Sequence, residues 1–358
     1  MKPTEMLHAA GQSLWLDNIT RDLLASGTLK RYIDALSITG LTSNPTIFDH
    51  AIAKSSAYDA DIRALNATGL TREEIFFRLA IADLQRAADL FRPIYERTSG
   101  VDGWVSLEVS PLLAYDAKRT VEAAKSLHAA AARPNLFIKI PGTAEGAPAI
   151  EEAIFSGVPV NVTLLFSREH YIAAAQAYLR GLERRAAAGL SLDVHSVASL
   201  FVSRWDKATM GRLPANLQNR LGIAVAQSAY ASYRAMLDSE HWQRLENLGA
   251  RPQRLLFAST GVKDPNAPDT LYIGALAAPN TINTMPEDTL LHFADHGEVG
   301  DVLRRDGAAA AGTLSAVGKA GVDIVALAAE LQSAGAKSFD ESWSDLMDSI
   351  AAKARALA

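Results

Sequence analysis

The amino-acid sequence predicts an α/β fold, a (β/α)8 or TIM barrel with additional helices. Two observations carry this prediction: short apolar segments alternate with longer amphipathic ones along the chain, and the apolar segments number eight. Such alternation is typical of a parallel sheet covered by helices, and eight repeats favour a closed barrel over the alternative, a doubly wound open sheet. The predicted strands are residues 14–17, 38–44, 104–109, 136–141, 160–166, 194–202, 255–260 and 281–285.

The segments between these strands carry helix signals. Thr71 and Glu74 form a predicted capping box ahead of an apolar face at helical spacing, made by Ile75, Phe76 and Leu79. The chain has 358 residues, more than the roughly 250 of an ordinary barrel, and no Pro/Gly/Ser-rich linker interrupts it. We therefore expect one domain over residues 1–358, with extra helices near 51–100, 206–250 and 295–358.

Composition narrows the possible functions. Apolar residues make up 49% and charged residues 21%, as in a globular protein, and a net charge of −5 argues against a broad nucleic-acid-binding face. The chain has no cysteine, which excludes disulfides, thiolate metal sites and a cysteine nucleophile. No apolar signal core and no run of about 20 apolar residues is present, so we expect a cytoplasmic protein with no membrane partner.

Strand parity predicts a polar barrel interior. Side chains alternate between the two faces of a strand, and one face of each predicted strand is aliphatic, as a face packed under helices should be. In the fifth strand this rule puts Leu164 on the outer face and Leu165 on the inner one. The inner faces and strand ends carry seven polar residues: Asp17, Asn44, Glu108, Lys139, Asn161, Thr163 and Ser199. Buried polar clusters usually mark function, and barrel active sites lie at the C-terminal ends of strands, so we expect an active site there.

Lys139 is the most informative of these residues. It lies between Phe137, Ile138 and Ile140, and a buried ammonium group is costly unless it is paired or loses its proton. A neutral lysine is a nucleophile that forms Schiff bases with carbonyl compounds. The alternative is a structural lysine paired with a carboxylate at the mouth of the barrel.

The neighbouring predicted groups suit such chemistry. Asp17 and Glu108 are two carboxyl groups that can divide the proton transfers of Schiff-base formation and carbon–carbon cleavage. Asn44, Asn161 and Thr163 can bind substrate hydroxyls or a catalytic water.

A cationic region follows the later strands. Ser199 and Arg204 place a hydroxyl and a guanidinium at the end of strand six, a common way to hold phosphate, and Lys263 adds a positive charge after strand seven. The alternative for Arg204 is a surface ion pair with Asp206.

His292 and His296 stand four residues apart on a predicted helix, a spacing that can bind a metal ion. No glutamate motif accompanies them, which favours a solvated helix face, and we expect no metal and no cofactor.

The chain resembles the transaldolases, in particular their longer bacterial branch. The motifs that carry the resemblance run from about residue 11 to about residue 286. They are residues 15–17 (WLD), 40–48 (GLTSNPTIF), 106–109 (SLEV), 137–141 (FIKIP), 160–167 (VNVTLLFS), 199–204 (SLFVSR) and 258–263 (ASTGVK).

The resemblance implies a metal-free class I enzyme of the non-oxidative pentose phosphate pathway. Such an enzyme transfers a dihydroxyacetone unit from sedoheptulose 7-phosphate to glyceraldehyde 3-phosphate, giving erythrose 4-phosphate and fructose 6-phosphate, so we expect sugar phosphates as its partners.

The resemblance also implies roles for individual residues. Lys139 would carry the Schiff base, Asp17 would be the acid/base of carbon–carbon cleavage, and Glu108 with Thr163 would handle the catalytic water. The implied substrate-binding residues are Asn44, Asn161, Ser199, Phe201 and Arg204. Shorter transaldolases place an arginine after strand seven, and Lys263 is the candidate to replace it here.

Three other functions remain open at this point. They are a simple aldolase that releases free dihydroxyacetone, a catalytically silent sugar-phosphate-binding barrel, and an isomerase that uses Glu108 and Lys139 without a covalent step.

Overall fold

The computed structural model describes residues 1–357 and contains a closed barrel of eight parallel strands in chain order, which confirms the predicted fold class. Each strand pairs with the next along the chain, and the eighth pairs with the first. The strands are β1 (Gln12–Asp17), β2 (Ile38–Thr42), β3 (Val105–Glu108), β4 (Leu136–Pro141), β5 (Val160–Leu165), β6 (Ser196–Phe201), β7 (Arg254–Ala258) and β8 (Thr281–Met285).

Helices precede, connect and follow the strands. Those of the first half are α1 (Pro3–Ala9), α2 (Arg21–Ala25), α3 (Thr28–Leu36), α4 (Pro45–Lys54), α5 (Asp59–Asn66), α6 (Arg72–Arg97), α7 (Ala117–Ala131) and α8 (Gly146–Phe155). Those of the second half are α9 (Arg168–Ala187), α10 (Ser203–Thr209), α11 (Leu221–Leu237), α12 (Glu240–Asn247), α13 (Leu271–Ala275), α14 (Glu287–His296), α15 (Ala308–Lys319) and α16 (Ile324–Ala356). No helix in the described part of the chain is both long and apolar enough to cross a membrane.

The predicted capping box at the start of α6 is confirmed. The Thr71 hydroxyl accepts a hydrogen bond from the Glu74 backbone N–H, and the Glu74 carboxylate accepts one from the Thr71 backbone N–H. Ile75, Phe76 and Leu79 are buried below it, as their spacing predicted.

Two separate apolar clusters reproduce the predicted alternation of strand faces. Leu16, Leu107 and Ile138 belong to the cluster between the barrel and its helices. Trp15 and Phe137, neighbours in sequence of Leu16 and Ile138, belong to a second cluster, which extends from the barrel interior to α11, α15 and α16. The interior is therefore filled by side chains and is not a pore.

Three aromatic side chains fill the middle of the barrel, and we call Trp15, Trp104 and Phe137 the aromatic plug. The rings of Trp104 and Phe137 are stacked with centroids 4.0 Å apart. A Cβ at Gly40, on the neighbouring strand, would lie 2.5 Å from the Trp15 ring, closer than real Cβ contacts. Gly40 therefore makes room for the plug, which separates two polar ends of the interior.

The parity prediction was wrong at one place. Leu164 has a φ of 59°, in the left-handed region, and the register between β5 and β6 shifts between Val162 and Leu165. This irregularity exchanges the two faces, so that Leu164 packs in the interior cluster and Leu165 in the outer one. A single backbone irregularity is enough, because strand alternation has a period of two.

The last long helix, α16, crosses the C-terminal end of the barrel. It packs against α4, α6 and β5. Gln332 on α16 donates hydrogen bonds to the carbonyl oxygens of Gly142 and Leu164, at 3.1 and 2.9 Å. The helix is thereby fixed to the loop after β4 and to the irregular segment of β5.

Candidate active site

Lys139 lies inside the barrel on β4 and is 5% exposed. Its Nζ donates hydrogen bonds to Glu108 Oε2 and to the backbone oxygen of Ser43, both at 3.0 Å. The ring centroid of Phe339 lies 5.8 Å from Nζ. The amine is thus held by a carboxylate, a carbonyl and an aromatic ring, in a site with little water.

Glu108 is the partner that β-sheet register assigns to Lys139, since the two residues are opposite each other on β3 and β4. Burial raises the pKa of Glu108, Lys139 opposes that rise, and the charge of Asp17 adds to it. Its second oxygen, Oε1, is buried and has no hydrogen-bond partner among the described residues. Glu108 can therefore exchange a proton with the lysine and still accept a hydrogen bond from another group.

Asp17 ends β1 at the same end of the barrel. It accepts a hydrogen bond of 2.8 Å from Thr42 Oγ1, which in turn lies 2.7 Å from Thr284 Oγ1. Burial raises the pKa of Asp17, against the opposing effects of Lys139 and of the Thr42 hydrogen bond. A carboxyl group whose ionised form is disfavoured is suited to take up a proton and return it.

Three predicted residues form a buried layer beside Lys139. Ser199 Oγ donates to Asn161 Oδ1 at 2.7 Å, and Asn161 Nδ2 donates to Ser106 Oγ at 3.1 Å. Thr163 is fully buried, and its Oγ1 has no hydrogen-bond partner in residues 1–357. Thr163 Oγ1 and Glu108 Oε1 are thus two buried acceptors on the strands that flank Lys139, each free to bind a further group.

A cavity of about 150 Å³ opens above this layer. Asp17, Lys139 and Ser199 lie in its wall, and Arg204 and Lys263 contribute two cations. Burial lowers the pKa of Lys263, and the nearby cations Lys207 and Arg204 lower it further, while Asp17 raises it.

Arg204 does not pair with Asp206, which was the structural alternative for it. The Asp206 carboxylate instead accepts hydrogen bonds from the backbone N–H of Leu221 at 2.9 Å and from the Tyr272 hydroxyl at 2.8 Å. The Arg204 guanidinium lies 5.2 Å from the Phe201 ring centroid and lines the cavity. Its charge is therefore directed at whatever occupies the cavity.

The site is a buried lysine near two carboxyl groups, with cations in the cavity wall. Comparison with known proteins supports the resemblance on which the sequence prediction rested. The sequence profile described as Transaldolase/Fructose-6-phosphate aldolase matches residues 14–350. The chain belongs to this family.

Individual relatives agree over the full length. A protein from Thermobifida fusca named transaldolase is 47% identical, with 98% of this chain and 97% of the relative aligned. Proteins with the same name from Kocuria rhizophila and Parafrankia sp. are 45% and 44% identical, with 98% of this chain aligned to 98% and 97% of the relatives. The predicted family is confirmed, and with it the prediction of a Schiff-base transferase, which follows from the family.

Asn44 both caps a helix and lines the cavity. It lies beyond the end of β2, and its Oδ1 caps α4 by accepting a hydrogen bond of 3.1 Å from the Ile47 backbone N–H. The residue also lines the cavity. The predicted strand had included Asn44, so its place at the site comes from a helix cap and not from strand alternation.

Sequence reasoning missed the contribution of α16. Phe339 lines the cavity, and a Cβ at Gly335 would lie 3.3 Å from Arg204 Nη1. Nothing in the local sequence of an amphipathic helix shows which distant site it covers. Thr284, also missed, could have been found, because it lies two residues after the buried interior residue Ile282 on β8 and therefore on the same face of the strand.

The histidine pair on α14 lies outside the site. His292 Nδ1 and His296 Nε2 contact the two oxygens of Asp269 at 3.1 and 2.9 Å. In residues 1–357, no group of three or more His, Cys, Asp or Glu side chains is placed to hold a metal ion.

Proposed function

We propose that the chain is a transaldolase that transfers a dihydroxyacetone unit from sedoheptulose 7-phosphate to glyceraldehyde 3-phosphate through a Schiff base on Lys139. The observation that carries the proposal is the buried contact of 3.0 Å between Lys139 Nζ and Glu108 Oε2, with Asp17 in the same cavity wall. Proteins with the name transaldolase at 47% identity support it.

Schiff-base formation is the first step. Lys139 passes a proton to Glu108, and the free amine attacks the ketone carbon of the donor to give a carbinolamine. A water bound between Glu108 Oε1 and Thr163 Oγ1 relays a proton to the carbinolamine hydroxyl, which leaves as water. The two buried oxygens without partners support this relay.

Carbon–carbon cleavage is the second step. Asp17, as a carboxylate, takes the proton from the C4 hydroxyl of the bound donor, the C3–C4 bond breaks, and its electrons pass to the iminium on Lys139. Erythrose 4-phosphate leaves as the aldehyde product, and an enamine remains on the enzyme. Asn44 and Asn161 bind the hydroxyls of the three-carbon unit.

Transfer reverses these steps on the acceptor. The enamine attacks the aldehyde carbon of glyceraldehyde 3-phosphate, and protonated Asp17 gives its proton to the new hydroxyl group. Hydrolysis of the Schiff base then releases fructose 6-phosphate. Ser199, Arg204 and Lys263 bind the phosphate of donor and acceptor in turn, and Phe201 lines the channel.

A fructose-6-phosphate aldolase activity is the competing proposal. It would pass through the same enamine, but protonation of that enamine would release free dihydroxyacetone. The position of α16 favours transfer, because Phe339 lies 5.8 Å from Lys139 Nζ and limits the access of water to the enamine.

Borohydride trapping tests the proposal. The protein is incubated with fructose 6-phosphate and borohydride, and the reduced adduct is located by mass spectrometry. We expect it on Lys139, and we expect prior addition of erythrose 4-phosphate, an acceptor, to discharge the enamine into sedoheptulose 7-phosphate. Lys263→Ala is the matched control, since it removes the other lysine of the cavity; at a fructose 6-phosphate concentration high enough to offset the lost phosphate contact, it should keep the adduct.

Two results would contradict the proposal. A folded protein that binds the substrate and gives no adduct has no Schiff-base chemistry. Free dihydroxyacetone formed as fast as the transfer product would assign the chain to the aldolases.

A further inference from the structure

A second cavity lies at the opposite, N-terminal end of the barrel. Its volume is about 560 Å³, within the range of cavities that hold small organic ligands. It is lined by the beginnings of β1 and β7, by the end of α11 and by α12. The proposed catalytic mechanism uses none of its residues.

Arg234, on the last turn of α11, is the unusual feature of this cavity. The residue is 7% exposed and lines the cavity, and neither Nε nor Nη1 has a hydrogen-bond partner among the described residues. A guanidinium carries five N–H donors and stays charged, so burying it without acceptors is costly. The remaining nitrogen, Nη2, also makes no hydrogen bond to the described residues but is not fully buried, so it is the one that an anion in the cavity can reach.

The buried carboxylate in the wall of this cavity, Asp102, has other partners. Asp102 accepts hydrogen bonds from Ser13 Oγ and, at 2.8 Å, from Trp15 Nε1. It also accepts one from the backbone N–H of Gly103 at 3.2 Å. Asp102 is therefore committed to the barrel itself.

The cavity wall also contains a second guanidinium, together with the carboxylates of Asp102, Asp238 and Glu246. Arg254 is 8% exposed, and its Nη atoms donate to neutral oxygens: Val101 O at 2.9 Å, Ser13 Oγ at 2.6 Å and Thr281 O at 2.9 Å. Both cations act on the neighbouring Tyr233. Burial raises the pKa of Tyr233 to about 12, and the charges of Arg254 and Arg234 oppose that rise. The rest of the wall includes the apolar side chains of Leu237 and Trp242.

We propose that this cavity is a second ligand site, distinct from the catalytic one, which binds a small organic oxyanion through the guanidinium of Arg234. Phosphate and carboxylate both match the planar fork of arginine, and the apolar wall accommodates the carbon part of the ligand. Asp238 and Glu246, the two acids at the rim, are the alternative partners of Arg234.

A pair of matched variants separates the two anion sites. Arg204→Met removes a cation from the catalytic cavity, and adding Arg234→Met removes the one at the N-terminal end. Binding of inorganic phosphate and of citrate to both proteins is measured by calorimetry, so that the two probes distinguish a phosphate from a carboxylate ligand. We expect Arg204→Met to bind one of them more tightly than about 1 mM, and the double variant to lose about 10- to 100-fold in affinity.

The proposal is overturned if Arg234→Met leaves the affinities in the Arg204→Met background unchanged, or if both probes bind more weakly than about 1 mM. Arg234→Gln, which keeps a polar side chain, replaces Arg234→Met in the test should the latter fail to fold.

Thermal unfolding in anion-free buffer tests the alternative partner. An unpaired guanidinium adds nothing to stability, so Arg234→Met should unfold at the same temperature as the wild type or a higher one, and Asp238→Asn should have little effect. If each single variant and the double variant lower the unfolding temperature by the same amount, Arg234 and Asp238 form a structural pair. That result also overturns the proposal.

Discussion

The two ends of the barrel interior both contain buried charged groups, but these groups differ in how fully they are hydrogen-bonded. At the N-terminal end, Asp102 and Arg254 are each held by several donors or acceptors from the barrel. At the C-terminal end, Asp17 and Glu108 have pKa values raised by burial, and Glu108 keeps one oxygen without a partner. The first arrangement stabilises the fold, whereas the second lowers stability and suits the proton transfers proposed for Asp17 and Glu108.

The largest expected effect is at the lysine. Lys139→Ala should lower kcat by more than about 1,000-fold, because the proposed covalent intermediate forms on its amine and Lys263, the other lysine of the cavity, is assigned to the phosphate. Steady-state kinetics with fructose 6-phosphate and erythrose 4-phosphate measure it. Activity close to that of the wild type would show that Lys139 is structural, like the charges at the other end.

Asp17→Asn should separate activity from stability. Removing a general acid/base is expected to lower kcat by about 10²- to 10⁴-fold, and in single-turnover experiments cleavage should slow more than adduct formation. Equal slowing of both steps would contradict the assigned role.

The same variant should be more stable than the wild type at neutral pH. Because the pKa of Asp17 is raised in the folded protein, the unfolded chain ionises first, and stability falls as pH rises from the ordinary aspartate pKa to the raised one. The difference in free energy of unfolding between Asp17→Asn and the wild type should therefore widen between these two pKa values, stay constant above the raised one and close below the ordinary one. Denaturant titrations at several pH values measure this difference. A variant less stable than the wild type at pH 7 would contradict the predicted direction of the change.

Arg204→Ala should act on substrate binding. Charge-assisted hydrogen bonds to phosphate contribute about 1.5–3 kcal/mol, so we expect KM for glyceraldehyde 3-phosphate to rise about 10- to 100-fold. Unphosphorylated glyceraldehyde is the control acceptor and should be nearly unaffected. Equal changes for both acceptors would make Arg204 a structural residue.

Ser13→Ala should lower the stability of the protein without changing its activity. It removes the hydroxyl between Arg254 and Asp102, and leaving buried partners unsatisfied costs about 1–3 kcal/mol of stability. We expect a lower unfolding temperature with kcat per folded molecule unchanged, since the aromatic plug separates this end from Lys139. A large loss of kcat in the folded variant would show that the two ends are coupled.

Gly335→Ala should have the smallest effect. The added methyl group would lie 3.1 Å from Leu164 Cδ2 and 3.3 Å from Arg204 Nη1, so both side chains must shift by a few tenths of an ångström. We expect a rise of KM for phosphorylated acceptors by less than about tenfold, with kcat for glyceraldehyde unchanged. Unchanged KM for both acceptors would show that Arg204 adapts without loss.

The sequence predicts the inner layer of the site well, because strand alternation has a fixed period. Lys139, Glu108 and Asn161 are opposite one another in register, as their parity implied. The alternation fails after Thr163, where the left-handed conformation of Leu164 turns the chain, and no residue type there, such as glycine, signals it.

At both ends of the barrel, some of the residues that line the cavities come from distant helices, and local sequence patterns do not predict how those helices pack. Phe339 reaches Lys139 across 200 positions of sequence, and Arg234 meets the start of β7 only through helix packing. Buried polar residues can be predicted from strand periodicity, but which distant helix covers them cannot.

The position of α16 has a consequence for the synthesis of the protein. The barrel strands end at Met285, yet the wall next to Lys139 is complete only when residues near Phe339 have been made and packed. During translation Lys139 would thus belong for a time to a chain in which all eight strands have been made but the helix that covers the cavity has not. On the proposed role of Lys139, packing of α16 is the step that limits which carbonyl compounds reach its amine.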